Sequence, residues 1–200
     1  GVLKIYSQKH AFAALKSDGS VQAWGDASYG GTDPGIGAGS GVVKIFPNKD
    51  DTSSWKASNE RAFAALLSNR TVISWGDSGY GGNAPSGLTD VVNIYSTRYA
   101  FAALKFDGTV VAWGLSTAGG SVPVGLTNVV DIVSNSDAFA ALKSDGSVVA
   151  WGNTGNGGTD PGITGGVVKI VSTYYAFAAL KTDGSVKVWG SSGFGGKDPG

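Results

Sequence analysis

Ala176-Phe177-Ala178-Ala179-Leu180-Lys181-Thr182-Asp183-Gly184-Ser185-Val186-Lys187-Val188-Trp189-Gly190 is the stretch that decides the fold. Residues 176–181 are apolar on both faces, as expected of a short strand sandwiched between neighbouring layers. Asp183-Gly184 follows, a strong hairpin signal, and predicts a type I′ turn with φ > 0 at both central residues. Residues 185–189 then return as a second strand ending on Trp-Gly. Upstream, residues 167–171 are β-branched and apolar and read as the unit's first strand. Downstream lies a Gly-rich loop. Three strands in so short a span leave no room for a helix.

The same string recurs four more times. Phe12, Phe63, Phe101, Phe139 and Phe177 each sit in Ala-Phe-Ala-Ala-Leu, and twelve residues later come Trp24, Trp75, Trp113, Trp151 and Trp189, each followed by Gly. The last four tryptophans are 38 residues apart and the first interval is 51. Two of the extra residues fall near Gly37 and Ser40, and the others between Phe46 and Ala62. The repeat therefore predicts one all-β domain over 1–200. Its five three-stranded units cover about 1–40, 41–89, 90–127, 128–165 and 166–200, with an insertion at 47–61. A unit this small cannot bury its apolar faces alone, so units must stack. The expected architecture is a β-propeller, either closed with five blades or a segment of a larger propeller or array.

Composition removes several function classes. With 42% hydrophobic and 15% charged residues the chain is too apolar for disorder, and no apolar run is long enough for a transmembrane helix. Fifteen basic and fifteen acidic residues cancel, leaving no field to draw in nucleic acid. No Cys is present, which excludes disulfides and thiolate metal sites, and no Met, which suggests a processed product or a piece of something longer. No cofactor is expected.

The repeats resemble those of the regulator of chromosome condensation superfamily, and more closely those of the propeller-type bacterial β-lactamase inhibitor proteins. Ala14-Leu15-Lys16, Gly19, Val21-Gln22-Ala23-Trp24-Gly25 and Gly41-Val42 carry the likeness. It implies three-stranded blades. On function it is broad, since such proteins exchange nucleotides on GTPases, inhibit enzymes or serve as scaffolds. The family members have seven blades; this chain has five units.

Acid–base chemistry needs a paired carboxylate or an oriented histidine, and His10 is the only histidine. Asp33, Asp160 and Asp198 precede Pro-Gly and read as turn residues. The Gly-rich loops lack the Gly-Lys-Ser/Thr of a phosphate loop. No enzyme is expected. The Trp-Gly tryptophans recur at one position in every unit and read as a packing slot.

What differs between copies is more informative. One variable set precedes each Ala-Phe-Ala-Ala-Leu and includes Lys9, His10, Arg61, Arg98, Tyr99, Tyr174 and Tyr175, with Trp55 in the insertion. The other follows each Trp-Gly and includes Tyr29, Tyr80 and Phe194. Strand direction puts both sets at one end of every unit. Aromatic and arginine anchors are interface chemistry. The expectation is a non-catalytic repeat domain, extracellular or at a cell surface, acting as a protein-binding module or as a structural part of a surface array, through a protein partner or self-assembly, with any partner engaging this end. The alternatives are an enzyme inhibitor using the same loop face, or a small-GTPase exchange factor by superfamily analogy. No nucleic acid and no membrane insertion are expected.

Overall fold

The computed structural model describes residues 1–49 and 61–197, so Trp55 and Asp198 lie outside the described residues. The chain forms five antiparallel three-stranded sheets, one per repeat. Blade 1 holds β1 (Val2–Ser7), β2 (Ala11–Lys16) and β3 (Val21–Gly25); blade 2 holds β4 (Val42–Pro47), β5 (Ala62–Leu67) and β6 (Val72–Gly76). Blade 3 holds β7 (Val91–Ser96), β8 (Ala100–Lys105) and β9 (Val110–Gly114). Blade 4 holds β10 (Val129–Ser134), β11 (Ala138–Lys143) and β12 (Val148–Gly152), and blade 5 holds β13 (Val167–Ser172), β14 (Ala176–Lys181) and β15 (Val186–Gly190). The first strands of successive blades lie beside one another, so the sheets fan out from that inner edge.

The hairpin tips differ from the type I′ expectation. Gly19, Gly108, Gly146 and Gly184 have φ of 78°, 77°, 77° and 82°, while the aspartates before them keep negative φ. Gly19 N–H donates to Lys16 C=O at 3.0 Å and Lys16 N–H donates to Ser20 C=O at 3.0 Å. This is a three-residue loop, a type I turn closed by a left-handed residue. The cause is the Ser or Thr after each glycine: Asp18 Oδ1 accepts from Ser20 N–H at 3.0 Å and from its hydroxyl at 2.6 Å. In blade 2 Arg70 occupies the glycine's place at φ 65°.

Blades join through a repeated contact. Phe139 and Trp151 face each other across β11 and β12 with rings 5.2 Å apart, and the other four Phe–Trp pairs stack in the same way. The Trp151 indole N–H donates to Gly119 C=O of blade 3 at 3.0 Å. A Cβ on Gly119 would stand 2.5 Å from the Phe139 ring, so only glycine lets the preceding loop seat there. Among the described residues the apolar clusters each span two successive blades. The tryptophans of blades 2 to 5 are thus packing elements, buried to within 8% exposure, whereas Phe12 and Trp24 of blade 1 are each 42% exposed.

Candidate functional site

The two variable loops of each blade are tied to one another by backbone geometry. The carbonyl oxygens of His10, Arg61, Tyr99, Asp137 and Tyr175 accept from the N–H groups of Asp26, Asp77, Leu115, Asn153 and Ser191 at 2.8 to 3.0 Å. That close approach explains the glycine after each tryptophan. At Gly152 a Cβ would lie 2.6 Å from the Asp137 carbonyl oxygen. Each Gly-rich stretch begins with a one-turn 3-10 segment, such as Ala27–Tyr29 or Ser192–Phe194, which the loop reading did not anticipate. Asp26 and Asp77 accept from the N–H two residues ahead at the start of their turns. The hydroxyl and N–H of Ser28 hold the Asp26 carboxyl below its ordinary range.

Side chains from these loops form a continuous belt across the blades. His10 packs edge-on against Tyr29, with ring centroids 4.5 Å apart. The Arg61 guanidinium lies 5.1 Å from the Tyr29 ring and 5.0 Å from the Tyr80 ring, so it bridges blades 1 and 2, and it pairs with Asp77 at 3.6 Å. Tyr80 meets Tyr99 at 5.5 Å. Arg98 lies over Tyr99, Tyr174 and Tyr175 at 5.1, 5.7 and 5.8 Å, and Tyr175 packs on Phe194 at 4.8 Å. Ten of the eleven residues singled out from sequence are described, and nine of them lie in this belt. Lys9 is exposed beside His10, and Trp55 is outside the described residues.

The belt is partly a structural seam. Arg98 and Asp137 are buried and form a forked ion pair, with N–O distances of 3.1, 2.8 and 2.9 Å. Burial opposes the charge on Arg98, but the hydrogen bonds and charge of Asp137 outweigh it and hold the guanidinium protonated beyond its ordinary range. Backbone bonds reinforce this inner turn: Arg98 N–H donates to Ser136 C=O at 2.9 Å, and Ser136 N–H to Tyr174 C=O at 3.2 Å. Lys49 Nζ donates to Ser134 C=O at 2.6 Å, and burial pushes its ammonium pKa down. Asn135, Ser136 and Asp137 belong to the variable loop set that precedes Ala-Phe-Ala-Ala-Leu in blade 4, but they were not among the residues expected to bind. The available signal was an acidic residue standing 39 positions after Arg98, in the next copy of the same loop.

The described aspartates before Pro-Gly have turn roles. Asp33 and Asp160 each accept from a glycine N–H two residues ahead, at 3.0 and 2.8 Å. No grouping of three or more His, Cys, Asp or Glu suited to a metal occurs among the described residues. No helix of the described residues is long and apolar enough to cross a membrane.

No family model matches this chain, and no curated protein matches it in sequence. Solved structures do match in shape. The ectodomain of the receptor kinase CR4 from Physcomitrella patens is 16% identical over 94% of this chain and 52% of its own, with a TM-score of 0.61. Prp20p from Saccharomyces cerevisiae is 15% identical over 94% and 58%, with a TM-score of 0.59. The CRINKLY WD40 ectodomain of the Arabidopsis thaliana receptor kinase ACR4 is 17% identical over 94% and 63%, with a TM-score of 0.58. This chain spans about half to three-fifths of the length of these relatives in shape. At such identities the likeness defines the fold alone: a β-propeller arrangement, here with five three-stranded blades.

Proposed function

We propose that this chain is a non-catalytic protein-binding propeller module that engages its partner with the loop end of the blades. The observation that supports this reading is the belt from His10 through Tyr29, Arg61, Tyr80, Tyr99, Tyr174 and Tyr175 to Phe194. It sets large rings and guanidinium groups on rigid, backbone-tied loops, which lowers the ordering cost of binding. Tyrosine and arginine are the residues that carry most interface energy. At the hairpin end four of the five blades repeat an Asp-Gly turn closed upon itself by serine or threonine hydroxyls, and Arg70 with the exposed Phe106 supplies one ring–cation pair. Propellers of this shape include Prp20p, whose structure was reported with its binding to Gsp1p and histones, and the ectodomains of two receptor kinases. A place outside the cell or at its surface belongs to the same reading and is supported by those ectodomains alone.

Photo-crosslinking side chains installed at Tyr175 and, separately, at Thr182 beside a hairpin tip would test the assignment in one protein extract. Adducts from position 175 that vanish in a Tyr99→Ala background are expected. Adducts from position 182 alone would overturn the binding face. Inhibition of a serine β-lactamase by the pure chain would convert the reading into that of an enzyme inhibitor using the same loops.

A further inference from the structure

At the hairpin end of each joint between successive blades, three positions meet in the same way. The tip glycine of the earlier blade, or its equivalent, offers its carbonyl to the N–H that opens the later blade's first strand. The residue before that strand offers its own carbonyl to the N–H just past the later blade's second strand. These bonds measure 2.8 to 3.3 Å in all four joints. In three joints the positions hold glycine, then glycine or asparagine, then serine or threonine, as Gly19, Gly41 and Ser68 do between blades 1 and 2. Between blades 2 and 3 they hold Arg70, Asp90 and Phe106.

The fold disfavours these side chains. Arg70 sits in the left-handed region at φ 65°, which costs any residue but glycine. A Cβ on Gly19, Gly108 or Gly146, its counterparts, would stand 2.9, 3.2 or 2.7 Å from the next blade's backbone. Phe106 is 74% exposed where the other copies carry a small hydroxyl residue. The two departures touch, for the Arg70 guanidinium lies 5.3 Å from the Phe106 ring. That guanidinium has no hydrogen-bond or ion-pair partner among the described residues. Blades 2 and 3 each have a blade on either side, so these departures lie within the array. Backbone strain kept for a side chain that ties down nothing inside the fold points to a function outside it.

We propose that Arg70 and Phe106 form a second recognition spot, at the hairpin end, for a partner-protein segment that carries a carboxylate beside an apolar side chain. Stacking on the ring fixes the plane of the guanidinium and leaves its N–H edge open. An arginine held in this way takes a carboxylate through two parallel hydrogen bonds. The exposed ring takes the neighbouring apolar side chain, and aromatic and arginine anchors of this kind carry most of the energy of an interface. A polyanion is a poorer fit. Asp90 meets Phe106 through its backbone carbonyl, and Asp107 follows Phe106 in sequence and is exposed, so two carboxylates border the spot and repel dense negative charge. The spot lies at the opposite end of the blades from the belt of loop residues and does not depend on it.

Arg70→Gly and Phe106→Ser test this, each restoring what the joint of blades 1 and 2 already holds. The probe is a random copolymer of glutamate and tyrosine, which sets carboxylates beside rings, with polyglutamate and inorganic polyphosphate as comparisons. Added to the whole chain, the copolymer is expected to shift the Arg70 Nε–H resonance. It is expected to bind the wild type at least about tenfold more tightly than either variant, and more tightly than polyglutamate or polyphosphate do. Both variants are expected to melt at or above the wild-type temperature. Equal binding to wild type and variants, or an Arg70 resonance that does not move, overturns the proposal. Tighter binding of either comparison polymer overturns it as well. A melting temperature that falls in either variant assigns the pair to the fold and overturns it too. Tyr99→Ala, which cuts into the loop-end belt, is expected to leave the Arg70 shift unchanged, so the loop-end reading and this one can fail separately.

Discussion

Blades 1 and 4 have nearly the same sequence motif and very different surroundings. Phe139 is fully buried and Trp151 almost so, whereas Phe12 and Trp24 form the same stack, at 5.4 Å, and are each 42% exposed. The local sequence is thus enough to build the hairpin and pair the rings. Covering them takes a neighbour. Stability in this fold belongs to the joints more than to the blades, as expected where each unit buries its apolar face only against the next.

The largest test of that contrast is a pair of truncations. Trp151→Ala removes a buried ring and its hydrogen bond to Gly119 and should cost about 3–5 kcal/mol in chemical denaturation. Trp24→Ala should cost less than about 1 kcal/mol. Equal costs would erase the distinction between interior and end. Asp137→Ala comes next. It strands the buried Arg98 guanidinium, and about 3 kcal/mol should be lost. Loss of the half-exposed partner in Asp77→Ala, which faces Arg61, should change stability by under about 1 kcal/mol.

Glycines separate a steric effect from a backbone effect. Both Gly119→Ala and Gly195→Ala force a left-handed alanine, at φ of 101° and 93°, a cost of about 1–2 kcal/mol each. Only the first also drives a methyl into the Phe139 ring, so it should cost about 1–3 kcal/mol more. Thermal melts of the two variants would show whether that gap exists. The smallest effect is expected at a hairpin tip. Arg70→Gly relieves the one non-glycine at the turn position and should stabilise the chain by up to about 1 kcal/mol, offset by the loss of the Arg70 contact with Phe106 at 5.3 Å. A melting temperature that falls in this variant would show the ring contact to be the stronger term.

The strands could be read from the sequence because their signals are local. Central strands apolar on both faces, β-branched first strands and Trp-Gly endings each act within a few residues. The hairpin tip was misread for a reason just as local: Asp-Gly alone points to a type I′ turn, but the Ser or Thr one place later supplies the hydroxyl that draws the aspartate into a different loop. The loop end was legible as a gathering of rings and cations, since strand direction alone places them together. Its inner seam was not. Arg98 takes its meaning from Asp137 and Tyr174, residues of the next two copies, and variability that looks like solvated freedom in one unit is pairing between units. Nothing within a single repeat indicates which neighbour completes it.

The spacing of 38 residues between equivalent joints carries a consequence for how such a chain changes over generations. Unequal recombination that adds or removes one whole repeat preserves the repeated Trp–Gly and Phe–Gly contacts, and severs only pairings peculiar to two copies, such as Arg98 with Asp137. Copy number can therefore drift without passing through an unfolded intermediate design, while a deletion out of register would sever a joint at once. Length in this protein is a quantity that heredity can adjust in steps of one blade.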